Sequence, residues 1–239
     1  MFKDLHILPH ISGALLDQYL AKGWYRMGQI IFTTDYLLRE EQWFRVFWLR
    51  YRMDLFRFSK KQEKMLRLPD GFSVITKPLQ LTEELETLYQ LYRTELDFEV
   101  SPTLRENLFS LCFISTEEEP AFDSWVIEIR DQGKLFAAGI FDAGEKSMMG
   151  IINIYDPAYK KYSPGKRLIL LKLKESLYRK LDYYYPGYIV MDYPKFDYKL
   201  EAGESICEIY DTVEDVWVPY SKENMGRAAL PILPDHILP

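Results

Sequence analysis

Apolar positions along this chain change period several times, and each change marks an element. In ISGALLDQYLAKG (11–23), Leu15, Leu16, Tyr19 and Leu20 share one side at helical spacing and Gly23 supplies a C-terminal stop. GQIIFTT (28–34) and FRVFWLRYRMDLF (44–56) read as strands. The second alternates Phe47, Leu49 and Tyr51 with Arg50 and Arg52, while Val46 and Trp48 blur its inner face. Ser59 caps a helix over KKQEKMLRL, which stops before Pro69-Asp70-Gly71, a turn that predicts a subdomain boundary.

FSVITKPL opens the second half as a strand, and Thr82, followed by Glu83 and Glu84, starts a helix through Leu96. Its buried stripe is Leu85, Leu88, Tyr89, Tyr92 and Leu96. A second helix covers Thr103 to Phe113. SWVIEIR and KLFAAGIFDAG form a hairpin through Asp131-Gln132-Gly133, and MMGIINIYDP adds a third antiparallel strand. A loop with Pro164-Gly165 leads into a strongly periodic helix over 166–181, then the strand GYIVMDY and strands at 206–210 and 215–220. The Pro-rich end from Pro231 is expected on the surface. The pattern predicts an α+β protein with an N-terminal α/β subdomain (1–70) and a larger domain (71–239).

Composition narrows the chemistry. With 239 residues, 48% of them hydrophobic, the chain can bury the core of one large or two small domains. No run approaches the roughly 18 apolar residues of a membrane span, and MFKDLHILPH lacks the layout of a signal peptide, so a cytoplasmic protein without a membrane partner is expected. Two distant cysteines, Cys112 and Cys207, argue against a disulfide framework, a four-cysteine zinc site or a cysteine-held iron–sulfur cluster. The three histidines, His6, His10 and His236, all sit near the termini. Proton transfer is therefore left to Asp, Glu, Lys, Tyr or the substrate.

The net charge of −6 hides a segregation. From Arg39 to Arg67, nine basic residues face four acidic ones, a local +5; from Lys160 to Lys180, eight face Glu175 alone, a local +7; the remainder carries −6 − 5 − 7 = −18. Such clusters attract a polyanion or are simply the solvated faces of helices.

The order hairpin, strand, Gly-containing loop, basic helix, strand resembles the core of the GNAT acyltransferase fold, a mixed, largely antiparallel sheet flanked by helices. In that fold the N-terminus of the helix after the third strand binds the pyrophosphate of an acyl donor. Only one glycine stands in Lys161-Tyr162-Ser163-Pro164-Gly165-Lys166-Arg167, which weakens a coenzyme A donor.

Three segments resemble the arginyl-tRNA protein transferase family, which moves an amino acid from aminoacyl-tRNA to protein N-termini. DQYLAKGWYRMGQIIF is similar to the block L-I-x-R-G-W-R-R-S-G-x-x-x-Y at Gly23, Trp24, Arg26 and Gly28, with Tyr25 and Met27 in place of Arg and Ser. FSKKQEKML resembles F-x-P-S-K-S-x-K-K-V-L through Ser59, Lys60, Lys64 and Leu66. From Ile154 to Lys199, Tyr155, Asp156, Pro157, Ser163, Gly165, Gly187, Pro194, Lys195, Tyr198 and Lys199 fall in register with Y-Y-D-P, S-x-G, Y-x-G-[FY] and P-K-M-x-Y-K. The family's usual N-terminal cysteine cluster is missing, so a metal-free variant is expected, with aminoacyl-tRNA as co-substrate and no cofactor.

The resemblance implies transfer of arginine to acceptor proteins with an acidic N-terminus. Tyr155 and Asp156 are the candidate base or amine-orienting pair, or else a packing residue and an Asp-Pro turn. Lys195 and Tyr198 are candidate donors to the oxyanion or leaving oxygen, or parts of a structural turn. Arg26 is the candidate partner of an acceptor carboxylate. Trp24 either stacks a tRNA base or fills the core. Lys60, Lys61, Lys64, Lys166 and Arg167 are the candidate contacts to tRNA phosphates, and Ser59, Ser163, Gly165 and Lys199 are further candidate substrate-binding residues. The alternatives are an acyl-CoA-dependent N-acyltransferase and a non-catalytic tRNA- or degron-binding relative.

Overall fold

The computed structural model describes residues 3–39, 41–96, 99–111, 114–115, 120–191 and 193–228, with side chains at all of these except 39, 114, 115, 194 and 195. Its strands are β1 (Asp4–Ile7), β2 (Tyr25–Met27), β3 (Ile30–Thr33), β4 (Tyr36–Arg39), β5 (Gln42–Arg52), β6 (Phe72–Pro78), β7 (Ser110–Leu111), β8 (Ile114–Ser115), β9 (Ser124–Asp131), β10 (Lys134–Ala143), β11 (Ser147–Tyr155), β12 (Tyr183–Val190), β13 (Cys207–Asp211) and β14 (Val216–Pro219). Its α-helices are α1 (Gly13–Ala21), α2 (Lys60–Leu66), α3 (Glu83–Arg93), α4 (Leu104–Phe109), α5 (Pro164–Tyr178) and α6 (Lys222–Arg227). No described helix is long and apolar enough to cross a membrane.

Nine strands form the main sheet, in the order β14-β13-β5-β12-β11-β10-β9-β6 with β4 on the side of β5. β11 and β12 run parallel, and α5 is the helical crossover that a parallel pair requires; the other pairs are antiparallel. The hairpin β9-β10, the third strand β11, helix α5 and strand β12 follow one another as in the GNAT core. α5 buries Leu168, Leu170 and Leu173 in the largest core cluster, and α3 buries Leu85, Leu88 and Tyr89 in a second. A small sheet, β1-β3-β2, carries the Gly-Trp block.

The boundary expected at residue 70 does not part the hydrogen-bonded sheet. β5 lies between β12 and β13, so residues 42–52 stand in the middle of the sheet built by the strands after residue 70. The physical reason is its two apolar faces: Phe47, Leu49 and Tyr51 enter one core cluster while Val46 and Trp48 enter another. A strand buried on both faces belongs inside a sheet.

Most expected elements are present, with shifted ends. Thr82 caps α3, which ends at Arg93 rather than Leu96, and α4 ends at Phe109 rather than Phe113. α5 starts earlier, with Pro164 at a first-turn position that needs no N–H, and ends at Tyr178. β12 starts earlier because Tyr183–Tyr185 pair with β11. The short β1, β2, β4, β7, β8 and α6 add to the elements that the pattern predicts. Cys112, His236 and the end from Pro231 lie outside the described residues; Cys207 is buried.

Candidate active site

The parallel pairing of β11 with β12 runs only from Ser147↔Tyr183 to Met149↔Tyr185. The next residue of β12 is Pro186, which has no N–H to offer a ladder, and then Gly187 turns at φ +106. Beyond this point β11 stays with β10 through Tyr155, and β12 stays with β5 through Val190. The two strands part into a fork. A bulge on β11, where Ile140 faces Ile152 but Phe141 faces Gly150, bends that strand at the same level.

Aromatic side chains line the fork. Tyr155, the last residue of β11, meets Tyr92 of α3 edge to face with ring centroids 5.4 Å apart. A Cβ at Gly165, at the start of α5, would lie 3.5 Å from the Tyr155 ring, so the head of that helix reaches the same place. On the other side, the 3-10 turn Pro194–Leu200 folds back on β12. Its Tyr198 has a largely exposed ring, yet loss of water around the hydroxyl among Tyr92 and Tyr188 pushes it up to about 12.

Lys199 closes the arrangement. Its Nζ donates to the carbonyl of Tyr188 at 2.8 Å and lies 4.6 Å and 4.9 Å from the ring centroids of Tyr188 and Phe196. Burial lowers this amine from the ordinary lysine range to about 7. Tyr198 therefore keeps its proton at neutral pH, while Lys199 can exchange one near neutrality.

Other candidates are placed differently. Arg26 is buried with its guanidinium committed: Nε donates to Gly28 O, one terminal nitrogen to Ser124 Oγ and both Asp142 oxygens, the other to Leu108 O. It is 5% exposed and has no free donor face for an acceptor carboxylate, which corrects the role expected of it. Asp156 and Tyr155 do not work side by side. Asp156 accepts from Ala158 N at 2.9 Å as a turn cap and pairs with Lys134 at 3.2 Å, while Tyr155 faces Tyr92. Trp24 packs against His6 and Tyr19, and His6 shares a 2.7 Å hydrogen bond with the Tyr19 hydroxyl.

Ser59 is a cap, in a reciprocal box with Gln62 that starts α2. Lys60, Lys61 and Lys64 stand exposed on that helix. α2 is tied to the head of α5 through Glu201, whose carbonyl accepts from Gln62 at 3.1 Å and whose carboxylate pairs with Lys166 at 2.9 Å. Ser163 precedes α5 at φ +51. Arg167 is 6% exposed and donates to Arg67 O at 3.0 Å, so it does not face solvent phosphates. Lys172, counted in the same basic segment, is fully buried and donates to Ile140 O and Ile152 O. Helical spacing, not charge, decided where these two side chains point. The side chain of Lys195 lies outside the described residues. Tyr92 and Tyr188 were missed as site residues; Tyr92 stood in the predicted apolar stripe, which marks core and cleft alike.

The main sheet thus forks between its parallel strands β11 and β12, with Tyr92, Tyr155, Tyr198 and Lys199 on the elements around the split. Residues 84–206, just over half of the chain, match the family described as "Arginine-tRNA-protein transferase, C terminus", and the chain belongs to that family of transferases. It is 23% identical over 236 residues to an aspartate/glutamate leucyltransferase of Helicobacter hepaticus, covering 92% of this chain and 91% of that protein. Over 88 residues it is 34% identical to arginyl-tRNA–protein transferase 1 of Saccharomyces cerevisiae, covering 37% of this chain and 17% of that protein. Among solved structures, a glucosamine N-acetyltransferase region of a fungal β-N-acetylglucosaminidase aligns over 82% of this chain and 21% of that one, with 12% identity and a TM-score of 0.41.

Proposed function

We propose that the protein transfers an aminoacyl group from aminoacyl-tRNA to the α-amine of an acceptor protein beginning with Asp or Glu. The fork between β11 and β12 is the reaction site. The observation that carries this reading is the convergence of Tyr155 from the end of β11 and of Tyr198 and Lys199 from the turn Pro194–Leu200 on that fork in a member of this family.

The chemistry needs little base strength, since the ester is already activated and a protein α-amine titrates near 7.7–8.0. The amine nitrogen attacks the ester carbonyl, a C–N bond forms, the C–O bond to ribose breaks, and one proton passes from the amine to the departing ribose oxygen. The protein has to align the two and stabilise the oxyanion between them. Lys199, titrating near 7, takes up and returns that proton. Tyr198, which stays protonated, donates to the oxyanion. Tyr155 orients the amine, Lys195 assists at the leaving oxygen, and Asp156 holds the turn that follows β11. Lys60, Lys61, Lys64 and Lys166, with the backbone at Ser163 and Gly165, meet tRNA phosphates.

Two donors compete. Arginine is what the motif blocks imply. Leucine is favoured by the relation to the H. hepaticus leucyltransferase over nearly the whole chain and by the tyrosine and phenylalanine rings of the fork. Incubation with labelled arginyl- or leucyl-tRNA and peptides beginning with Asp, Glu or Ala is the deciding assay. Transfer to the acidic peptides from one donor is expected; no transfer from either overturns the reading, and stabilisation by coenzyme A but not by aminoacyl-tRNA would replace it with an acyl-CoA enzyme.

A further inference from the structure

Tyr25 stands where the resembling block carries Arg, and it reaches the apex of the fork from outside the main sheet. Its ring stacks on Trp48 of β5, with centroids 5.4 Å apart and planes 19° from parallel, so its direction is fixed. Its hydroxyl donates to the carbonyl of Gly150 and has the carbonyl of Tyr185 at 3.2 Å as a second acceptor. Tyr185 is the last residue of β12 paired with β11, and Gly150 is the first of β11 beyond that pairing. One hydroxyl thus bridges the two strands at the point where their own ladder ends.

The surroundings are shaped for it. Pro186 and Gly187 follow Tyr185, and a Cβ at Gly187 would lie 3.7 Å from the Tyr25 hydroxyl and 3.2 Å from Lys199 Nζ. The bridge and the titrating amine therefore meet at the same crook of β12. Burial raises the Tyr25 pKa well above its ordinary value, so the bridging proton is retained at any working pH.

We propose that Tyr25 is a positioning residue that sets the opening of the β11–β12 fork, and through it the seat of the aminoacyl donor. The proposal rests on the aminoacyl-transfer reading given above. Removing the hydroxyl leaves the stacked ring in place but frees the two strands to shift at the apex, which misplaces the donor carbonyl relative to the incoming amine. Such a loss falls on kcat, because misalignment by about 1 Å is enough to slow a reaction roughly a hundredfold. KM for tRNA, set by contacts elsewhere, stays unchanged.

The test compares the full-length parent, Tyr25→Phe and Trp48→Phe by hydrogen–deuterium exchange without substrate and by steady-state transfer. For Tyr25→Phe the expected results are exchange of the amides at 150–153 faster by about tenfold, the value for one lost hydrogen bond of ordinary strength, a drop in kcat of at least that size, and KM for aminoacyl-tRNA within about twofold. Trp48→Phe, which keeps the hydroxyl, should lower thermal stability with a much smaller effect on kcat. Unchanged exchange at the fork overturns the proposal whatever the kinetics, and so does faster exchange with an unchanged kcat. A parent that transfers nothing overturns the reading beneath it instead, while the exchange data still report whether the hydroxyl ties the strands.

Discussion

Tyr155 and Tyr92 meet edge to face, 5.4 Å between centroids, although one ends a central strand and the other lies on the helix after β6. With Gly165 against the same Tyr155 ring, the contact joins α3, β11 and the head of α5 at one spot. Residues separated by up to 73 positions, from Tyr92 to Gly165, thereby form one wall of the fork.

Arg26→Met should destabilise the protein strongly. Its partner Asp142 is fully buried, and breaking a buried pair from one side leaves an uncompensated charge, an effect of about 3–5 kcal/mol. Urea unfolding of parent and variant gives the difference directly. A change below about 1 kcal/mol would show that the pair is not what holds the Gly-Trp block against β10.

Two glycines at the site should respond oppositely to alanine. At Gly150 the new Cβ would stand 2.6 Å from the buried Tyr184 hydroxyl, so Gly150→Ala must displace β11 or Tyr184 and lower transfer by at least tenfold. At Gly165 the nearest atom would be 3.5 Å away, an ordinary contact. Gly165→Ala should leave the melting temperature unchanged, and any fall in its transfer rate then reports contact with the donor.

Stability should rise with pH on the alkaline side. Lys172 and Lys199 are lowered by burial to about 7, whereas in the unfolded chain each holds its proton up to about 10.4. Between these limits the unfolded state binds more protons, so unfolding free energy increases by up to ~1.4 kcal/mol per pH unit for each lysine. Below about pH 7 both states are protonated and this contribution vanishes. Lys172→Met should flatten the slope in denaturation curves taken from pH 7 to 10.

Replacing Lys60, Lys61 and Lys64 together by Ala should weaken tRNA binding without changing the melting temperature, since all three are exposed. If each meets one phosphate, the slope of log K against log salt becomes shallower by roughly 2–3. An unchanged slope in filter binding between low and high salt would remove α2 from the tRNA path.

Much of this protein was readable from local pattern. Ser59 and Thr82 cap helices, and Gln132-Gly133 turns the hairpin, because capping and turn chemistry act between near neighbours. The motif blocks around Tyr155, Tyr198 and Lys199 fall on the elements lining the fork. Other roles depended on distant partners. Arg26 reads as a free cation until Asp142, 116 positions away, is seen to hold it.

Periodicity and local backbone chemistry fixed the features that lie between near neighbours: the starts of α2 and α3 at Ser59 and Thr82, the hairpin turn at Gln132-Gly133, and the alternation that marks β9, β10 and β11 as strands. Tertiary structure alone decided that β5 enters the centre of the sheet, that Arg167 and Lys172 point inward, and that Tyr25 bridges the fork. Burial, pKa and hydrogen-bond partnership are set by which surfaces pack together, and a linear pattern carries the tendency to be buried without naming the partner.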